Sequence, residues 1–251
     1  MCAPFDDAAA LVELAHCAAV TTEFENVSAD AMRFLGKHTT VSPSGDCVAI
    51  AQNRIEEKAW IRKAGLQTAP YQVVQSAADI SQASAGFLPG ILKTATLGYD
   101  GKGQYVVRNP SDIDQAWQQL GHAAPLIAES FVHFEREVSI IAVRGQDGMV
   151  KTWPLAENHH HDGILSHSIV PAPRSVNLQP IATDYITRLL NHLDYVGVLT
   201  LELFVTPHGL FANEMAPRVH NSGHWSMEGA VCSQFENHMR AVAGLPLGST
   251  D

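Results

Sequence analysis

The chain has 251 residues, 46% hydrophobic and 17% charged, enough for one large domain or two smaller ones with a buried core. A formal net charge of -10 with only 16 Lys and Arg excludes a general polyanion-binding surface, so no nucleic-acid partner is expected and any phosphate must be met locally. Cys2, Cys17, Cys47 and Cys232 show no C-x-x-C pairing, which excludes a zinc finger or disulfide framework and points to reduced thiols in a soluble, cytoplasmic protein with no membrane partner.

In chain order, "DDAAALVELAHCAAV" sets Leu11, Leu14 and Ala15 on one helical face behind an acidic start, and "AAVTTEFENV" turns extended. This is half of an α/β unit, with no partner strand upstream in the sequence. "NRIEEKAWIRKAGL" is a short helix rich in both charges that stops at Gly65. "YQVV" is a strand, "SAADISQA" a capped helix, and "GFLPGILKTATLGYDGKGQYVVRN" a strand, glycine-containing loop and strand. Ser111 is placed to cap "DIDQAWQQLG", and "PLIAESFV" is a short apolar strand.

"REVSIIAVRGQDGMVKTWPL" predicts a hairpin turning at Gly-Gln-Asp-Gly, and "PIATDYITRLLNHLD" a helix. "YVGVLTLELFVTPHGLFANEMAPR" predicts a second hairpin, and "SMEGAVCSQFENHMRAVAGLPL" a helix running to Gly244. Hairpins mixed with helices make the class α+β, with α/β character at the N-terminus alone.

Four stretches could carry chemistry. Glu202 lies inside an apolar strand, and Glu214 ends the next strand beside Asn213. On one sheet face they make a paired oxygen site suited to a magnesium-nucleotide complex; the alternative puts Glu202 on a solvent face. "LGYDGKGQ" surrounds Lys102 with Gly98, Gly101 and Gly103 between two strands, either a loop folding over phosphates with Lys93 nearby or a plain hairpin turn. "ENHHHDG" cannot aim three successive histidines at one ion from an extended chain, so a polar loop lining a cleft is expected. Arg218, His220, Asn221 and Ser222 suit a small planar anion, or else anchor a loop.

Taken in order, "TTEFENV", "ILKTATLGYDGKGQ", "ENHHHDGILSHS", "YVGVLTLELFVT", "NEMAPRVHNSGHW" and "SQFENHMRAVAGLPL" resemble the ATP-grasp family, within it the ATP-dependent carboxylases of purine synthesis. The resemblance implies two α+β subdomains clasping ATP at residues 51–251, and an incomplete N-terminal α/β domain at 1–50. The family's opening glycine-rich strand and its C-terminal domain have no counterpart in the sequence. It also implies a ligase that uses ATP and bicarbonate to form carboxyphosphate, whose carboxyl group passes to aminoimidazole ribonucleotide.

By motif match, Arg54, Lys93 and the loop Gly98, Tyr99, Asp100, Gly101, Lys102, Gly103 and Gln104 would hold ATP phosphates. Glu129, Ser130, Phe131 and Val132 would form the adenine hinge, Glu137 would meet the ribose with His160 nearby, and Asn213 would lie alongside the nucleotide. Glu202 and Glu214 would ligate Mg2+ or Mn2+. Arg218, His220 and Asn221 would handle bicarbonate, while Glu23 or Glu25, Tyr99, Asp100, Lys102 and Ser222 would face the ribonucleotide. A homodimer is also implied. The alternatives are a magnesium-ATP-binding protein without turnover, and another carboxylase or transformylase of purine synthesis, which "APRVHNSGHW" disfavours.

Overall fold

The computed structural model describes residues 2–80, 87–97, 103–123, 125–161 and 163–251. Three sheets follow one another along the chain. The first is a parallel pair, β1 (Ala19–Val20) and β2 (Thr40–Val41), packed with helices α1 (Ala8–Leu14), α2 (Ala29–Leu35) and α3 (Gly45–Ala51). Each helix starts at a short polar side chain that accepts from the main chain three residues on: Asp7 from Ala10, Ser28 from Ala31, Ser44 from Cys47. Asn53 likewise starts α4 (Arg54–Lys63), which ends at Gly65, whose φ of +80° only glycine adopts without strain.

The second sheet is antiparallel, with β3 (Tyr71–Val74), β4 (Gly90–Thr94), β5 (Gln104–Val107) and β6 (Leu126–Ser130) in the order β3-β6-β4-β5. Helix α5 (Ile113–Leu120) closes its core, which includes Val74, Leu92, Val107, Ala116 and Leu126. The third sheet carries β7 (Arg136–Arg144), β8 (Val150–Thr152), β9 (Ala156–His161), β10 (Ile164–Ile169), β11 (Gly197–Thr206) and β12 (Gly209–Ala216). Its order is β10-β9-β7-β11-β12, with β8 on β7.

Alternation along β7 and β11 sends Val138, Ile140, Leu199, Leu201 and Leu203 to one face, under α4 and α6 (Gln179–His192). At one end of the opposite face Ile141, Val143 and Val198 pack on α8 (Gln234–Val242). The rest of that face is polar and floors the cleft described below. The α+β class and both expected hairpins are present.

Three local expectations are corrected. Ser111 caps nothing: Asp112 Oδ2 accepts from Arg108 and Asn109, winding Pro110–Asp112 into a 3-10 turn that contains Ser111. In "ENHHHDG", Glu157 to His161 are no loop but belong to strand β9, because their alternating side chains can satisfy both faces of a sheet, while His160 and Gly163 do line the cleft and Asp162 lies outside the described residues. The last helix is split into α7 (Ser226–Gly229) and α8, since Ala230 is extended and Ser233 starts a new helix by accepting from Glu236. "SAADISQA" is helical over 77–80, and its remainder lies outside the described residues. Among the described residues no helix is long and apolar enough to cross a membrane, and all four cysteines are free.

Candidate functional site

Strand β12 holds the decisive irregularity. Leu201 pairs with Met215 and Leu203 with Ala212, so the single residue Glu202 stands opposite both Asn213 and Glu214. That extra residue is a β-bulge. Ala212 and Met215 consequently both enter the core although three positions apart, and Asn213 and Glu214 reach the same cleft as Glu202. Regular pairing could not have set both on the cleft.

The cleft has a volume of about 350 Å³ and is formed by the second and third sheets, α4 and the segment around Glu25. Arg54, Lys93 and Gln104 line one side, and His160, Glu202, Asn213 and Glu214 the other. Arg218, His220, Asn221 and Glu25 complete it. Arg54 is tied to the end of β4, its N–H donating to Ala95 O and its Nη1 to Thr94 O. Lys93 Nζ lies 3.0 Å from Glu129 Oε2. Gly103, at φ +68°, accepts from Thr94 N–H and thereby sets Gln104 beside Lys93. Gly98, Tyr99, Asp100, Gly101 and Lys102 lie outside the described residues.

Like charges converge at the floor. Glu214 is open to solvent through the cleft, yet partial desolvation by the cleft walls and the nearby Glu202 push its pKa up. Glu57, from α4, is pushed up to about 8 by burial and by Glu214. Glu202, Asn213 and Glu214 set hard oxygen ligands together on one wall of the cleft, which fits Mg2+ or Mn2+. Among the described residues no three His, Cys, Asp or Glu side chains form a metal cage by themselves. Two carboxylates plus substrate phosphates is the usual arrangement for magnesium.

His160 and His220 each meet a carboxylate. His160 Nδ1 is 3.0 Å from Glu137 Oε2, and His220 Nε2 is 3.1 Å from Glu202 Oε1. Burial raises the pKa of Glu137, with His160 opposing and Glu202 reinforcing the rise. Arg218 Nη2 donates to Glu25 Oε2 at 2.7 Å and Nη1 to Val219 O, so its fork is held at the cleft wall. Gln52 Nε2 donates to the carbonyls of Glu25 and Val27 and fixes that segment.

Several expected site residues sit elsewhere. Glu23 is exposed and does not line the cleft, because Thr22 and Phe24 bond to each other in a tight turn that leaves it outside. Ser222 is fully buried and faces the protein: its hydroxyl meets Ser139 Oγ at 2.8 Å and His220 Nδ1 at 2.9 Å. It supports His220 and cannot touch a substrate. The segment Glu129 to Val132, at the end of β6, does not line the cleft and touches its lining at Lys93 through Glu129; Ser130 N–H donates to Pro70 O and Phe131 N–H to Pro89 O. Burial works against the charge of Glu129, but Lys58 and Lys93 outweigh it and hold the carboxyl below its ordinary value.

Glu57, Lys58 and Gln52 were not singled out by sequence. The available signal was charge on the face that carries Ile61: Arg54, Lys58 and Ile61 recur at helical spacing on α4.

The family model for the ATP-grasp domain matches residues 59–235, and that for the ribonucleotide synthetase preATP-grasp domain matches residues 1–52. The chain is 52% identical over 232 residues to a Pseudomonas aeruginosa protein named N5-carboxyaminoimidazole ribonucleotide synthase, covering 92% of this chain and 64% of that one. The Thermus thermophilus N5-carboxyaminoimidazole ribonucleotide synthetase structure superposes with a TM-score of 0.93 at 46% identity, over 99% of this chain and 68% of that one. An Aspergillus clavatus N5-carboxyaminoimidazole synthase structure, in complex with ADP and 5-aminoimidazole ribonucleotide, gives 0.89 at 28% identity over 98% and 65%. The chain thus spans about two thirds of the length of the relatives it matches. Its cleft between two α+β sheets, and a family match that covers both of them, make the chain a member of the ATP-grasp family.

Proposed function

We propose that the chain is a cytoplasmic ATP-dependent ligase, or the core of one, that carboxylates aminoimidazole ribonucleotide with bicarbonate. The observation that carries this is the bulge that aims Glu202, Asn213 and Glu214 into the cleft that Arg54 and Lys93 enter from the facing sheet. Anionic oxygens on one side and cations on the other suit a metal-bound triphosphate lying between them. The names of the relatives, and the ADP and 5-aminoimidazole ribonucleotide bound in one of them, support the same nucleotide and acceptor here.

Arg54, Lys93 and Gln104 hold the phosphates in this scheme, with Glu129 to Val132 at the base and Glu137 with His160 toward the ribose. Glu202 and Glu214, with Asn213 alongside, would hold Mg2+ or Mn2+, which would supply positive charge to offset that of the transferring phosphate. Arg218, with Asn221, presents donors to bicarbonate, and His220 is steadied for the same anion by Glu202 and Ser222. A bicarbonate oxygen attacks the γ-phosphorus and ADP leaves. The exocyclic amine then attacks the carboxyl carbon of carboxyphosphate and phosphate leaves. Glu25 stands where it can meet the acceptor while orienting Arg218.

The test is ADP release by the folded chain with magnesium, with and without bicarbonate and aminoimidazole ribonucleotide. Release that rises only when both are present is expected. A folded chain that binds magnesium-ATP but responds to neither substrate would overturn the assignment.

A further inference from the structure

The bulge has a cost at the outer edge of the sheet, where main-chain groups on either side of Glu214 point away from β11. Consecutive residues of α4 meet both. Glu57 Oε1 accepts from Met215 N–H at 2.5 Å, and Lys58 Nζ donates to Asn213 O at 2.7 Å. These residues are only 3% and 2% exposed. Lys58 also lies 3.5 Å from Glu129 Oε1, and the other oxygen of Glu129 meets Lys93. One buried ammonium therefore joins the third sheet, at Asn213, to the second sheet, at Glu129.

A helix that merely covered this edge could use apolar side chains, as α4 does at Ile61. Buried ion pairs contribute little net stability, because desolvation offsets their attraction. What they supply here is direction: donor and acceptor lock the peptide groups that decide where the Asn213 and Glu214 side chains point. We propose that Glu57 and Lys58 are positioning residues that clamp the bulge for cation binding, and that Lys58 fixes its spacing from the Glu129-Lys93 pair. This rests on the magnesium-nucleotide site proposed above. Neither residue touches the cation; both act through the main chain of β12.

The test measures Mn2+ binding by electron paramagnetic resonance in the presence of ATP, together with ATP affinity without metal and thermal unfolding. Glu57→Gln keeps an acceptor for Met215 N–H and should bind Mn2+ like the parent. Glu57→Ala and Lys58→Met should weaken Mn2+ by about tenfold or more, as loss of outer-sphere support commonly does, with a smaller change in metal-free ATP affinity. Lys58→Met strands part of the charge on Glu129, so the double variant Lys58→Met/Glu129→Gln is included. It should recover the lost thermal stability without recovering Mn2+ affinity. Folded Lys58→Met that binds Mn2+ as tightly as the parent, or a double variant that recovers both properties, overturns the clamp alone. Failure of the parent chain to bind Mn2+ with ATP overturns the magnesium-nucleotide site and the clamp with it.

Discussion

Replacing Glu214 by Gln should stabilise the ligand-free protein while abolishing its response to magnesium-ATP. Burial, and then the Glu214 charge, lift Glu57 from 4.5 to about 8. Its folded value lies above its unfolded one, so the native chain binds that proton more tightly, and stability falls as pH rises from about 4.5 toward 8. At pH 7 the loss from Glu57 as a whole is on the order of 3 kcal/mol. Burial is the larger cause, and Glu214 opens to solvent in the cleft, so screening holds its share to about 1 kcal/mol or less. Relief of repulsion with Glu202 acts in the same direction, so Glu214→Gln should gain about 1 kcal/mol near pH 8, or roughly 2–4 °C in Tm for a chain of this length. Thermal unfolding followed by circular dichroism, at pH 5 and pH 8 and with and without magnesium-ATP, reads all of this. The gain should shrink at pH 5, where Glu57 is already neutral, and magnesium-ATP should raise the Tm of the parent alone. A ligand-free variant no more stable than the parent at pH 8, or one still stabilised by magnesium-ATP, would refute the reasoning.

His220→Ala should leave magnesium-ATP affinity within about threefold and lower bicarbonate-stimulated ADP release by about 100-fold or more, the usual scale for loss of a group acting on the reacting atoms; equal loss of nucleotide binding, read by calorimetry, would contradict that division of roles. Ser222→Ala should lower the same turnover by less, because Glu202 still holds Nε2 of His220; turnover equal to the parent would remove Ser222 from its supporting role. At His238, burial holds the pKa down near 4, Nδ1 accepts from Val198 N–H, and Nε2 lies 2.7 Å from Thr21 Oγ1. The folded value lies below the ordinary 6.5, so this stability is present above pH 6.5 and lost as pH falls toward 4, about 3 kcal/mol in all. Asn keeps an acceptor for Val198 without titrating, so urea unfolding of His238→Asn should lose less stability between pH 7 and pH 4.5 than the parent; parallel losses would refute it.

The hairpins were legible because the apolar, β-rich runs "SIIAV" and "VLTLELFV" each lead into a glycine-containing turn, whereas the helix starts at Ser44 and Asn53 were passed over and the one cap named, Ser111, was wrong. Which face Glu202 takes was not legible. Pairing by alternation alone leaves the register to the turn, and an inserted residue at Asn213-Glu214 leaves no mark in the hydrophobic pattern. Ser222 was misplaced for a related reason: its neighbours His220 and Asn221 line the cleft, but the 3-10 turn at Asn221–Gly223 rotates its hydroxyl inward to Ser139. Glu57 and Lys58 were hidden by composition, since a helix with charges at both ends reads as solvated until a strand edge is found against it. The contact is over 150 residues away in sequence, as Lys58 to Asn213 shows.

Bicarbonate labelled with 18O tests the central claim most directly. If its oxygen attacks the γ-phosphorus and the carboxyl group then moves to the amine, one labelled oxygen must remain on the phosphate released. Mass spectrometry of that phosphate, in the presence of magnesium-ATP and aminoimidazole ribonucleotide, is predicted to show the label in the parent chain and none above background with Glu214→Gln. Unlabelled phosphate from a parent chain that is turning over ATP would contradict the proposed chemistry.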